Sequence, residues 1–131
     1  MANEAEAVPF DYVVVSGSIA ASGSAQMTLT LAPDSTFEWH VLEGRSTLDA
    51  ATTINPNNFS LQMTIQSTGR QMSNLRVPQA LMAATAQHQT MMRRPMILPP
   101  NSVLLFDILN LDSGNANTVT IVLRGYKMLT R

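Results

Sequence analysis

Alternating apolar and polar residues predict several short β-strands along the chain. The clearest case runs from Phe59 to Gln66, where every second residue is apolar and the residues between are Ser, Gln and Thr. Successive side chains of a strand point to opposite faces, so this pattern indicates one face buried in a core. A second apolar row, with Glu38 and His40 on the opposite face, is formed by Phe37, Trp39 and Val41.

The segment 103–125 is predicted to form a β-hairpin that anchors the fold. Val103 to Asn110 is largely apolar on both faces, which is typical of a central strand. The polar run from Asp112 to Asn117 is rich in residues that favour a reversal of the chain. Thr118 to Arg124 then alternates again and contains many β-branched residues. The pair Pro99-Pro100 lacks amide donors, so we expect the first strand of the hairpin to begin after it.

Further strands are predicted near Asp11 and Gln26, with turn signals between neighbouring strands. The clusters Ser16–Ser18 and Ser22–Ser24 are predicted to bracket a flexible link between these two strands. Residues 46–58 lose the alternation and predict a long surface connection that crosses between sheets. About six to eight short strands with turns between them predict an all-β fold, an antiparallel β-sandwich of jelly-roll type.

Two parts of the chain carry no clear strand pattern. Residues 70–89 predict a long loop or a short helix, because Ala80 to Ala86 favour helix but are too few to form one in isolation, so the sequence leaves open whether residues 79–88 are helical. Residues 1–10 are small and acidic and predict an N-terminal arm, either disordered or laid on a neighbouring molecule. We expect this arm to be followed by a single β-sandwich domain over residues 11–131, since a chain of 131 residues supports one core.

The composition narrows the classes of function. The formal net charge is -1 and there is no cysteine, so we expect no nucleic-acid partner, no disulfide and no thiolate site. The N-terminus lacks the basic and apolar regions of a signal peptide, and no stretch approaches the roughly 20 apolar residues of a membrane span. We therefore expect synthesis in the cytoplasm and no membrane partner.

No pattern of residues predicts a catalytic or metal site. His40 and His88 are the only two histidines, and no carboxylate or cysteine stands at a ligand spacing from His88. Glu38, Glu43 and Asp107 can pair for glycoside hydrolysis only if folding brings them together, and otherwise they are solvated or interfacial acids. We expect no enzymatic activity, no cofactor and no metal.

Between Asp49 and Asp107 the chain has no acidic residue but several arginines and methionines. Arginine binds carboxylates through two hydrogen bonds, and methionine adapts to irregular contacts. The segment is either a docking face for an acidic partner or a chance gap among few acids, with methionines that fill the core. We predict contact surfaces in the arm and in residues 67–97; the candidate contact residues are Glu4, Glu6, Arg70, Arg76, Met91, Met92, Arg93 and Arg94.

Residues 93–127 resemble small virion structural proteins of tailed bacteriophages. The resemblance rests on the entry Arg94-Pro95 and Leu98-Pro99-Pro100-Asn101, a strand closing on Asn110, a polar turn, and a last strand ending Val122-Leu123-Arg124-Gly125-Tyr126-Lys127. In these features the chain is similar to capsid decoration, or cement, proteins with jelly-roll folds. The resemblance implies a protein on the outer capsid surface of the virion that clamps neighbouring major capsid proteins. It also implies a homo-oligomer, a trimer at three-fold positions or a dimer at two-fold positions.

A different jelly-roll function remains as the alternative. A carbohydrate- or protein-binding module, such as a fibre base, tail or head-completion component, uses exposed aromatic rings, here Trp39, Tyr126 or His40, to stack on sugar. Two observations favour the structural protein instead: the aromatic content is only 5%, and Trp39 lies on the predicted core face.

Overall fold

The computed structural model of the protein describes residues 5–49, 59–67, 69–71, 77–78 and 90–130. These residues contain no helix and form nine β-strands. In chain order the strands are β1 (Ala5–Ile19), β2 (Ser24–Thr30), β3 (Ser35–Leu48), β4 (Phe59–Ile65), β5 (Arg70–Gln71), β6 (Val77–Pro78), β7 (Thr90–Leu98), β8 (Val103–Asn110) and β9 (Asn117–Thr130).

The strands form two antiparallel sheets around one core. The first sheet has the order β1-β9-β3-β7, and the second has the order β2-β8-β4-β5. The short strands β5 and β6 pair with opposite ends of β4, so together they take the position of a single strand beside it. The predicted all-β antiparallel sandwich is confirmed, and this alternating strand order is that of a jelly roll.

Each connection between the longer described strands crosses from one sheet to the other. The predicted hairpin of residues 103–125 is therefore wrong, because β8 pairs with β2 and β4 whereas β9 pairs with β1 and β3. The polar run after Asn110 does reverse the chain, but it carries the chain over the end of the core. Turn residues favour a reversal of the chain but do not determine whether the next strand pairs with the previous one or crosses to the other sheet. The sequence pattern is therefore consistent with both a hairpin and a crossing. The central position predicted for β8 is confirmed.

The buried Asn110 side chain holds this crossing in place. Its Nδ2 donates to the carbonyl oxygens of Ile19 at 3.1 Å and Ala20 at 3.2 Å. Its Oδ1 accepts from Nδ2 of the buried Asn117 at 3.0 Å. Ile19 and Ala20 lead into the crossing from β1 to β2, so one amide joins two crossings at this end of the sandwich.

The inward rows of both sheets form one hydrophobic core. Its largest side chains, which have no exposed surface, are Trp39, Phe37, Phe59 and Phe106. The inward row predicted for β4 is confirmed, and the row predicted for β3 is confirmed up to Trp39. A bulge at His40 then moves Val41 to the outer side, opposite Arg124, and brings Leu42 into the core.

Strand β1 is longer than predicted at both ends. Residues 5–10, assigned to the N-terminal arm, continue the strand and pair with residues 125–130 of β9. Ser16–Ser18 was predicted to begin a flexible link, but it lies inside β1 at a register shift where Gly17 has a φ of 72°. Pro9 is tolerated because β1 is an edge strand.

Two of the sequence predictions concern segments with partial or no description. The surface connection predicted over residues 46–58 begins too early, because residues 46–48 continue β3 and pair with residues 117–119 of β9. The next described strand, β4, begins at Phe59 in the second sheet, so the chain does change sheets after β3. The long loop or short helix predicted over residues 70–89 is wrong at residues 70–71 and 77–78, which form β5 and β6. Residues 79–88 and residues 1–4 of the arm lie outside the described residues.

Candidate interaction surface

The predicted contact residues lie on three different edges of the sandwich. Glu6 is exposed on β1, at one edge of the first sheet, and Arg94 is exposed on β7, at the other edge. Residues 91–93 lie on β7 beside Arg94, and Arg70 lies on β5 in the second sheet. Two candidates, Glu4 and Arg76, lie outside the described residues. Strand β7 therefore brings four of the candidates together, but the fold does not gather the whole set.

The outer face of the first sheet carries exposed apolar side chains. Val13 and Val15 on β1 are 55% and 58% exposed, and Ile97 on β7 is 57% exposed. Tyr126, in the middle of the sheet, is 41% exposed. Ile97 and Tyr126 both lie beside Glu38, on opposite sides of it, whereas Val13 and Val15 lie further along β1, past the Pro9 that pairs with Tyr126.

An ion network on the same face joins β1, β9 and β3. Arg124 Nη1 lies 2.9 Å from Asp11 Oδ2, and Arg124 Nε lies 3.0 Å from Glu43 Oε2. The Nε contact is an ion pair without a directed hydrogen bond, and within the described chain Glu43 Oε1 has no hydrogen-bond partner. Glu43 is only 5% exposed. Since water cannot solvate this carboxylate fully, the neighbouring Arg124 guanidinium is the group that compensates its burial.

The three acids considered for catalysis do not converge. Glu38 and Glu43 lie on the outer face of the first sheet, whereas Asp107 lies on β8 of the second sheet, outside its buried row. The hydrophobic core therefore separates Asp107 from the other two acids. Among the described residues no group of three or more His, Asp or Glu side chains is placed to hold a metal ion.

The aromatic candidates for sugar binding do not form a platform. Trp39 has no exposed surface, and its indole Nε1 donates to the Val41 carbonyl at 2.9 Å. His40 and Tyr126 are accessible, but their rings meet edge to face at 82°, with centroids 5.4 Å apart. His40 Nε2 also lies 3.0 Å from Glu38 Oε1. Sugar rings stack on flat aromatic faces, and the rings of His40 and Tyr126 are nearly perpendicular and form no common flat face.

Asp49 links the C-terminal end of β1 to the N-terminal end of β9. Its carboxylate accepts hydrogen bonds from Ser18 Oγ and, at 2.6 Å, from Thr118 Oγ1. These bonds, Ser18 first, favour the charged form and lower the pKa of Asp49 below its ordinary value of 3.8. Because both donors belong to strands of the same sheet, the role of Asp49 is to hold β1 against β9.

A depression of about 360 Å³ lies beside the crossing from β7 to β8. It is lined by Ile65, Ser67 and residues 96–102, none of which is charged. The depression therefore offers shape and apolar surface, but no acid, base or metal ligand.

Comparison with known proteins does not assign this chain to a family. No protein-family model matches it, and no curated protein is significantly similar to it. Within the described residues, no helix has the length and hydropathy needed to cross a membrane.

Proposed function

We propose that this chain is a capsid decoration, or cement, protein of a tailed bacteriophage, which binds the outer capsid surface and stabilises contacts between major capsid proteins. The observation that carries the proposal is the jelly-roll strand order, an architecture that viral capsid proteins use. The segment that resembles phage virion proteins, residues 93–127, covers most of three consecutive strands, β7 to β9. The resemblance therefore spans a layered part of the sandwich and not a single loop.

The outer face of the first sheet and its β7 edge supply the surface for such a contact. The face combines exposed apolar side chains with the ion network of Asp11, Arg124 and Glu43, and the β7 edge carries Arg93 and Arg94 next to two methionines. Arginine suits acidic partner surfaces, and many weak contacts repeated by capsid symmetry give strong net attachment. In this proposal the major capsid protein is the partner, and the attached copies share the load between neighbouring subunits.

The location of the protein in purified virions tests the proposal. We expect immunogold labelling of intact particles with antibodies against this chain to decorate the outer surface of the head. Particles stripped of the protein should break at lower temperature or osmotic stress, and added protein should restore their stability. Labelling confined to the tail or fibres, or particles whose stability is unchanged by its removal, would contradict the proposal.

Rebinding to stripped particles also tests the β7 edge. The double variant Arg93→Glu/Arg94→Glu should bind at least about tenfold more weakly, because it reverses two charges at the proposed contact. Thr28→Glu is the control for an added negative charge, since Thr28 is exposed on β2 in the second sheet, away from the proposed contact. A glycan array tests the alternative, carbohydrate-binding function. We expect the unmodified protein to bind no glycan on the array.

A further inference from the structure

Between Pro9 and Gly17 the β1 edge of the first sheet has a largely apolar stretch, Phe10 to Val15, without a basic residue, proline or bulge. Natural sheets protect their edges with basic residues, proline, bulges or very short strands. Strand β7 carries Arg93-Arg94-Pro95 and an interrupted register with β3, and β5 and β6 have two residues each. Strand β2 exposes only Ser, Gln and Thr side chains. Strand β1 has 15 residues without a lysine or arginine, and no described strand pairs with its second edge.

Pro9 and Gly17 bound the regular part of the free edge of β1. Pro9 has no amide hydrogen, and Gly17 lies in the register shift that follows Val15. Between them, Phe10 to Val15 pairs with β9 in unbroken register, so this stretch is an ordered strand. Val13 is more than half exposed and stands midway between Pro9 and Gly17. The stretch therefore offers backbone donors and acceptors and β-branched side chains to another strand.

We propose that two copies of this chain associate through β1, antiparallel and about a two-fold axis at Val13, so that their first sheets join into one continuous sheet. Because Val13 is the midpoint, Pro9 of each copy faces Gly17 of the other, and every residue between them is opposite a partner. An axis of this kind is self-complementary, since the same strand supplies both sides of the interface.

The charges of β1 favour a second copy in this orientation. Asp11 is already paired with Arg124 at 2.9 Å, so the centre of the dimer does not bring unpaired carboxylates together. Glu6 lies near one end of the strand, and the axis therefore carries the two copies of Glu6 to opposite ends of the paired strands. Parallel pairing in register would instead place Glu6 beside Glu6, and like charges directly opposite are destabilising.

Single cysteines test the axis directly, because the chain contains no cysteine of its own. Val13→Cys places the two thiols opposite each other, with Cα atoms about 4.5–5.5 Å apart, within the range that a disulfide spans. Val15→Cys is the matched control, because it is equally exposed but should lie about 13 Å from its copy in this register. Under mild oxidation we expect the Val13→Cys dimer to form at least about tenfold faster. Equal rates for the two variants would overturn the proposed axis.

Association without a cross-link provides the second test. We expect sedimentation equilibrium to show a monomer–dimer equilibrium for the unmodified chain, with a Kd raised at least about tenfold by Val13→Lys. Thr28→Lys on the β2 edge should leave the Kd unchanged, and circular dichroism should show that both variants fold. A monomer at all concentrations, or a dimer insensitive to Val13→Lys, would refute the proposal. This dimer forms in the free protein and requires no capsid partner.

Discussion

At the scale of single residues, Arg124 and Glu43 show where sequence and structure diverge most. The sequence presents Glu43 as one of a few scattered acids, yet the fold buries it beneath the first sheet's outer surface beside Arg124. No local pattern signals this pairing, because the two residues lie on strands that are far apart in sequence. A bulge at His40 also sets which face the following residues occupy, and a single extra residue is invisible to a period-two pattern.

Removal of Arg124 should destabilise the protein far more than removal of its exposed partner. Arg124→Met leaves the Glu43 carboxylate buried without a cation, which we expect to lower the free energy of unfolding by about 3 kcal/mol. Asp11→Asn removes the other ion pair of Arg124, but both of its groups are partly solvated, so the expected loss is below about 1 kcal/mol. Urea unfolding at neutral pH measures both. Equal losses would show that burial of Glu43 does not control this network.

At the scale of elements, Gly125 allows β9 to pass beneath the bulge of β3. A Cβ built on Gly125 overlaps the carbonyl oxygen of Glu38 and lies 3.1 Å from Phe37 Cζ. The backbone of β3 leaves no space there, and Phe37 is fully buried, so neither neighbour can move freely. The close contact between these two strands therefore requires a residue without a side chain.

We predict that Gly125→Ala lowers the free energy of unfolding by about 2 kcal/mol or more, because the added methyl group forces the paired strands apart. Gly114→Ala is the matched control, since the nearest atom to its built Cβ is Asp112 Oδ1 at 3.8 Å. That change should stay within about 0.5 kcal/mol of the unmodified protein. Thermal and urea unfolding of both variants give the comparison, and similar stabilities would contradict the steric explanation.

Strand positions were more predictable from the sequence than strand partners. The alternation of β4 and the early part of β3 identified their buried faces, because a one-sided core imposes a period of two. The polar run after Asn110 was identified as a reversal but not as a crossing between sheets. The exposure of Val13 and Val15 was not predicted either, since a β-branched run looks the same in an edge strand and in a central one. Edge position depends on the whole topology.

At the scale of the whole molecule, nearly every strand pair joins distant parts of the chain. Val13 pairs with Val122, and Ser35 pairs with Leu129. By contrast, β5 pairs with β4, which is close to it in sequence. Because consecutive long strands alternate between sheets, neither sheet can be completed before most of the chain has been brought together. The core and both sheets should therefore form in a single cooperative step.

Such a topology should fold slowly for a chain of this size. We expect refolding time constants from about milliseconds to seconds, because loop closure precedes almost every strand contact. Stopped-flow fluorescence of the buried Trp39 measures the rate, and double-jump refolding separates any slower phase due to proline isomerisation. Submillisecond folding would indicate that local structure forms first, contrary to the topology.

The pairing of Ala5 with Thr130 also determines how the protein responds to force. The two residues lie side by side at one end of an antiparallel strand pair, so tension applied between them opens β1 from β9 one pair at a time, like a zipper. Tension applied parallel to the strands, at opposite ends of the sandwich, instead loads many backbone hydrogen bonds at once. The same molecule is therefore compliant when pulled at Ala5 and Thr130 and stiff when loaded along its strands.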